Sequence, residues 1–249
     1  MTPAPVPTLP FDILAACEHL VARDPALTEL ISSLAQFQLD EILADSPYEA
    51  LMESIAYQSI SGKAAATIFA RVKALGTDGR APTPQQMLKL KPSALRKAGL
   101  SGAKVAAMKD LAAKTIDGTV PTRALAEKMS DDGLVARLVS VRGIGAWTVE
   151  MFLIFNLGRP DVLPIHDLGV KKGWSVTYKK KHMPRPAELL AFGERWRPYR
   201  TVASWYMWRA FERAGQAITN KIRPPKLRRK KSAKSRTPKR KSAQPRKPR

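Results

Sequence analysis

The chain has 249 residues, 44% of them apolar, a net charge of +22 and a single cysteine. No apolar run is long enough to cross a bilayer as a helix. Cys17 alone cannot form an intramolecular disulfide, a Cys-based zinc site or an iron–sulfur cluster, and His19, His166 and His182 lack metal-ligand spacing.

The length suits one compact domain or two small lobes. Residues 1–10 are Pro-rich, with neither a charged n-region nor an apolar h-region, and read as a loose leader rather than a signal peptide. Residues 11–220 read as helices joined by short turns. Asp24-Pro25 and Thr83-Pro84 pair a capping side chain with proline at the first helical position. Ser46-Pro47-Tyr48-Glu49 has the form of a capping box. Leu51, Met52, Ile55, Ala56 and Ser59 make one helical stripe. Ala65, Ile68, Phe69, Val72 and Leu75 make the next, after a break at Ser61-Gly62. Ser101 is expected to cap a helix carrying Val105, Met108, Leu111 and Ala112. Sustained alternation is absent, so the expected class is all-α.

The run Leu138 to Phe152 holds an apolar helix, the turn Arg142-Gly143-Ile144-Gly145 and a second apolar helix. Gly143 and Gly145 permit positive φ and close approach of the backbone to another molecule. Ile144, and Val141 before it, can fill the gap between the helices. The N–H groups that open the second helix would face outward at the positive end of its dipole, which suits a DNA phosphate. An ordinary helical corner with a glycine cap is the alternative.

With this hairpin the chain resembles the helix-hairpin-helix DNA glycosylase superfamily, and within it the 3-methyladenine DNA glycosylase II branch. The resemblance runs through Asp24-Pro25 and Leu27, Gln58 to Ser61, Leu95 to Ser101 with Lys104, Pro164 to Val170, and Trp196 to Arg200. It implies two helical lobes with a cleft between them, roughly residues 11–60 plus 166–220 against residues 61–165. With so few residues before the Ser46 cap, the compact form without an N-terminal β domain is expected.

The resemblance places Asp167 at the catalytic aspartate, 22 residues after Gly145. Breaking an N-glycosidic bond builds positive charge on the sugar, which a nearby carboxylate stabilises while it orients the attacking water. Pro164 before it suggests a helix start there, where negative charge is favoured. A plain N-cap role is the alternative. Asp161 and Glu150 are weaker candidates. The matched positions supply no general acid, which points to bases that are already cationic, such as N3-methyladenine or N7-methylguanine.

Trp147 and Tyr199 match aromatic pocket positions of the family, where an electron-rich face favours a cationic flipped base. Trp205, Tyr206 and Trp208 are assigned to the core of a C-terminal helix. Trp147 also occupies the hairpin position where bifunctional relatives carry a Schiff-base lysine, so a monofunctional hydrolase is expected. Two positions depart from the pattern. Ser59 stands where some relatives place a bulky apolar wedge, leaving Gln58 or Ile60 for that role. Met151 stands where some place a pocket aromatic.

Residues 221–249 carry 15 Lys and Arg and no acid, while the other 220 residues have a net charge of +7. This tail cannot bury a core and suits a polyanion through counterion release. The expected partner is double-stranded DNA containing alkylated bases, met by a monomer without membrane attachment, in a bacterial cytoplasm or, in a eukaryote, a nucleus. No cofactor is expected, with a monovalent cation at the hairpin left open. The rival readings are a non-catalytic DNA-binding module, an endonuclease III-like lyase or mismatch glycosylase, and a basic RNA-associated protein.

Overall fold

The computed structural model describes residues 9–34, 36, 37, 39, 46–77 and 79–222, with side chains as far as Gly215. The leader and the basic tail lie almost wholly outside them. The described residues form helices and no strand, and none of the helices is long and apolar enough to cross a membrane. They are α1 (Ile13–Arg23), α2 (Ala26–Ser33), α3 (Pro47–Tyr57), α4 (Gly62–Lys73), α5 (Pro84–Lys89), α6 (Pro92–Lys97) and α7 (Gly102–Ile116). After these come α8 (Arg123–Ala126), α9 (Asp131–Leu138), α10 (Ala146–Phe155), α11 (Leu168–Thr177), α12 (Pro186–Gly193) and α13 (Arg200–Ile222).

The expected starts are made by the expected side chains. Ser101 Oγ accepts from the Lys104 amide at 3.3 Å, and Thr83 completes a reciprocal capping box with Gln86 ahead of Pro84. Ser46 accepts from the Glu49 amide and so makes half of its box. Asp24 differs: α2 starts at Ala26 with Pro25 as its N-cap, so Asp24 stands one residue ahead of the cap. Its Oδ1 accepts from Ala26 N, and its Oδ2 takes Tyr178 Oη at 2.6 Å and Trp196 Nε1 at 3.0 Å. That buried carboxylate ties α2 to the end of α11 and to the turn before α13. Burial and this carboxylate push the Tyr178 phenol far above its ordinary value.

Two hydrophobic cores divide the helices. One is built on α3, α4, α7, α9 and α10, with Leu51, Ile55, Met108, Leu111 and Phe152 at its centre. The other is built on α1, α2, α11 and α13, around Leu20, Leu27, Trp196 and Tyr206. The division falls before α3 rather than at residue 60, because Leu51, Met52, Ile55 and Ala56 are buried in the first core. Trp208 packs against both cores.

The crossing from α10 to α11 is tightly held. Arg200 and Arg197 grip Asp161 at 2.7 and 2.6 Å. Thr201 Oγ1 donates to Arg159 O and accepts from Val162 N. Arg159 in turn reaches the carbonyls of Ala126, Glu127 and Met129 at the end of α8. Asp161 is therefore a structural anchor, and the strap it belongs to directs residues 164–167 between the two cores.

Candidate active site

Asp167 is the N-cap of α11, and its Oδ1 accepts from the Val170 amide at 2.8 Å. The same oxygen accepts from Trp208 Nε1 at 2.8 Å. Its other oxygen accepts from Trp147 Nε1, also at 2.8 Å. Trp147 comes from α10 and Trp208 from α13, so the carboxylate is clamped from two helices that belong to different cores. Indole nitrogens only donate, so both contacts suit a carboxylate acceptor.

The same α10 face forms one wall of a cavity of about 510 Å³. Trp147, Met151 and Phe155 stand at i, i+4 and i+8 on that wall. The facing wall is the end of α3, with Tyr57, Gln58 and Ser59. Phe155 stacks on Trp208, with ring centroids 5.8 Å apart and planes 23° apart. The cavity and Asp167 therefore share Trp147 as a common side.

Glu150 lies one turn after Trp147 on α10. One of its carboxylate oxygens is buried without a hydrogen-bond partner. Burial, and then the Asp167 charge, push its carboxyl up to about 7. The sequence ranked it as a weak candidate. It stands beside Asp167 as a carboxyl that exchanges its proton near neutral pH rather than one fully ionised there.

Tyr199 is not at the cavity. It sits just before α13, where its ring packs on Phe11 and on His19. The aromatic that reaches Asp167 from this segment is Trp208, which sequence reasoning left in the core. The two differ by nine residues, or two and a half helical turns. Arg200 fixes the start of α13 on Asp161, and only a residue well along the helix comes level with Asp167.

The hairpin places its residues as the sequence expects, with one difference. Val141 and Ile144 are buried and fill the corner. Gly143 has φ +78°, and a β-carbon there would stand 3.3 Å from Ala107. Gly145 instead has an ordinary φ of −100° and caps α10 without a side chain. A β-carbon on it would enter open space. Its value is the bare outward surface beside the free N–H groups of α10.

The three wedge candidates divide. Gln58 Nε2 donates to Gly143 O at 2.8 Å, which ties the end of α3 to the hairpin. Lys104 Nζ fastens the same end through the carbonyls of Ala56 and Gln58. Ser59 has φ +58°, and the turn it makes leaves Ile60 exposed beside the cavity rim. Of the three, Ile60 alone offers a free apolar side chain.

Known proteins are similar to this chain in sequence and fold. DNA-3-methyladenine glycosylase 1 of Schizosaccharomyces pombe is 34% identical over 209 residues, covering 84% of this chain and 91% of that protein. The structure of a 3-methyladenine DNA glycosylase from the same yeast, in complex with abasic DNA, superposes with a TM-score of 0.71 at 35% identity, covering 78% of this chain and 95% of the other. A DNA-3-methyladenine glycosidase from Bacillus halodurans gives a TM-score of 0.73 at 32% identity, covering 81% of this chain and 91% of the other. Residues 52–198, which hold the α3 wall, the hairpin, the α10 wall and Asp167, match the family described as HhH-GPD superfamily base excision DNA repair protein. With its helical fold, its hairpin and its clamped aspartate in that order, the chain belongs to the HhH-GPD superfamily of base excision DNA repair proteins.

Proposed function

We propose that the protein is a monofunctional DNA-3-methyladenine glycosylase, which flips an alkylated, cationic purine out of duplex DNA and hydrolyses its N-glycosidic bond. The observation that carries this reading is the Asp167 carboxylate, held by the Trp147 and Trp208 indoles beside an aromatic cavity of about 510 Å³. The flipped base enters the cavity and stacks on Trp147. As the bond breaks, its electron pair moves to the base and cancels the positive charge there. Charge builds on the sugar, and Asp167 stabilises it. Water attacks the sugar carbon, and its proton passes to the carboxylate or to solvent.

The remaining residues fit around this step. The free N–H groups at the start of α10 take a DNA phosphate, and bare Gly145 lets the backbone approach. Ile60 is the side chain placed to fill the gap left in the base stack. Trp147 in place of a hairpin lysine favours hydrolysis over strand nicking. The two cores act as the lobes of a cleft, and the basic tail tethers the enzyme to DNA.

The test is release of free base from methylated duplex DNA, comparing the wild type with Asp167→Asn, with DNA binding measured alongside. Release of N3-methyladenine by the wild type, and binding without release by the variant, is the expected result. Equal DNA binding with no release by either protein would replace this reading with a non-catalytic binding module.

A further inference from the structure

The cavity holds a carboxylate that the reaction scheme does not use. Ala50, Glu53, Ser54 and Tyr57 form one helical stripe of α3, facing the Trp147, Met151 and Phe155 wall of α10. The other face of α3, with Leu51, Met52, Ile55 and Ala56, is in the core. Glu53 is half-buried, and its side chain makes no hydrogen bond or ion pair with any described residue. Ser54 is different: its hydroxyl is spent on the Ala50 carbonyl at 2.9 Å. The α10 side gives a stacked base an aromatic and thioether surface, with Thr148 and Asn156 as its neutral polar groups and no charged one. A carboxylate opposite such a wall, with no donor among the described residues, is an acceptor left for a ligand.

We infer that Glu53 is a specificity-determining residue of this pocket, which accepts hydrogen bonds from the amino edge of an alkylated purine and favours the cationic base over a neutral one. The inference rests on the proposed glycosylase reading. Two properties of the carboxylate serve it. It accepts only, so it pairs with an exocyclic amino group and not with a carbonyl. Its charge opposes that of an N3- or N7-alkylated purine and has no such partner on a neutral base. The face of Trp147 attracts the same cation, so the two walls discriminate in the same direction. Asp167 remains free for the sugar.

The test uses the full chain and two substrates in otherwise identical duplexes. One carries N7-methylguanine, which is cationic and has an amino group. The other carries 1,N6-ethenoadenine, which is neutral and has no amino hydrogen. In Glu53→Gln, kcat/KM on N7-methylguanine is expected to fall about tenfold or more, with that on ethenoadenine unchanged or raised. The thermal midpoint stays at the wild-type value, because Glu53 holds no partner among the described residues. Equal effects on the two substrates, or no effect on either, overturn the inference while leaving the glycosylase reading intact. A wild type that releases neither base overturns both.

Discussion

Trp208 Nε1 and Asp167 Oδ1 lie 2.8 Å apart, and the Trp147 indole stands at the same distance from the other oxygen. The carboxylate is thus fixed by two donors that have no acceptor capacity. Asparagine in its place would keep an oxygen for the Val170 amide but turn an N–H toward one indole N–H. Asp167→Asn is expected to lower the rate of base release by about 10²–10⁴. Its thermal midpoint should move less than that of Asp167→Ala, which loses the helix cap at about 1 kcal/mol. Single-turnover release with a parallel melting curve checks both. A variant with wild-type turnover would remove Asp167 from the chemistry.

Trp208→Phe separates the two roles of that side chain. Phenylalanine keeps a ring to stack on Phe155 but removes the donor to Asp167. The single-turnover rate is expected to fall about tenfold, the scale of one hydrogen bond to a charged group, with DNA affinity unchanged. A rate equal to the wild type would show that Trp147 alone is enough to orient the carboxylate.

Asp167, Trp147 and the hairpin were legible in the sequence because they lie in two short, contiguous motifs. The capping side chains at Thr83 and Ser101 were legible for the same reason, since a cap acts within three residues. Trp208 was not. A tryptophan at helical spacing reads the same whether it faces a core or a cleft, and only the anchoring of α13 at Asp161 decides which. Tyr199 was misplaced by the reverse effect: it sits inside a matched motif, but the turn before α13 directs it to α1. Glu53 and Phe155 needed the packing of α3 against α10, which no local pattern encodes. Phe155 did carry one signal, its i+8 spacing from Trp147 on the same face as Met151.

The two hairpin glycines predict opposite outcomes. Gly143→Ala puts a β-carbon at φ +78° and 3.3 Å from Ala107. It should cost about 1–2 kcal/mol of stability, read as a lower thermal midpoint. Gly145→Ala meets no neighbouring atom and has an ordinary φ. Its thermal midpoint should match the wild type, while its affinity for duplex DNA falls because the methyl group stands where the phosphate approaches. Full affinity in Gly145→Ala would move the phosphate away from the start of α10.

Glu150 links stability to pH. Burial and the Asp167 charge raise its carboxyl from 4.5 to about 7, so the ionised form is the one disfavoured in the fold. Its contribution is therefore fully present below 4.5 and is lost as pH rises through 7. Glu150→Gln removes the titration and keeps the shape. At pH 5 the two proteins should melt almost together. At pH 8 the variant should be the more stable by about 1 kcal/mol, after discounting for partial exposure, or about 2–4 °C. The measurement is the thermal midpoint of both proteins between pH 4.5 and 8. Parallel curves across that range would mean that Glu150 ionises in the fold as it does in the open chain, and that a second charge stands beside Asp167 at neutral pH.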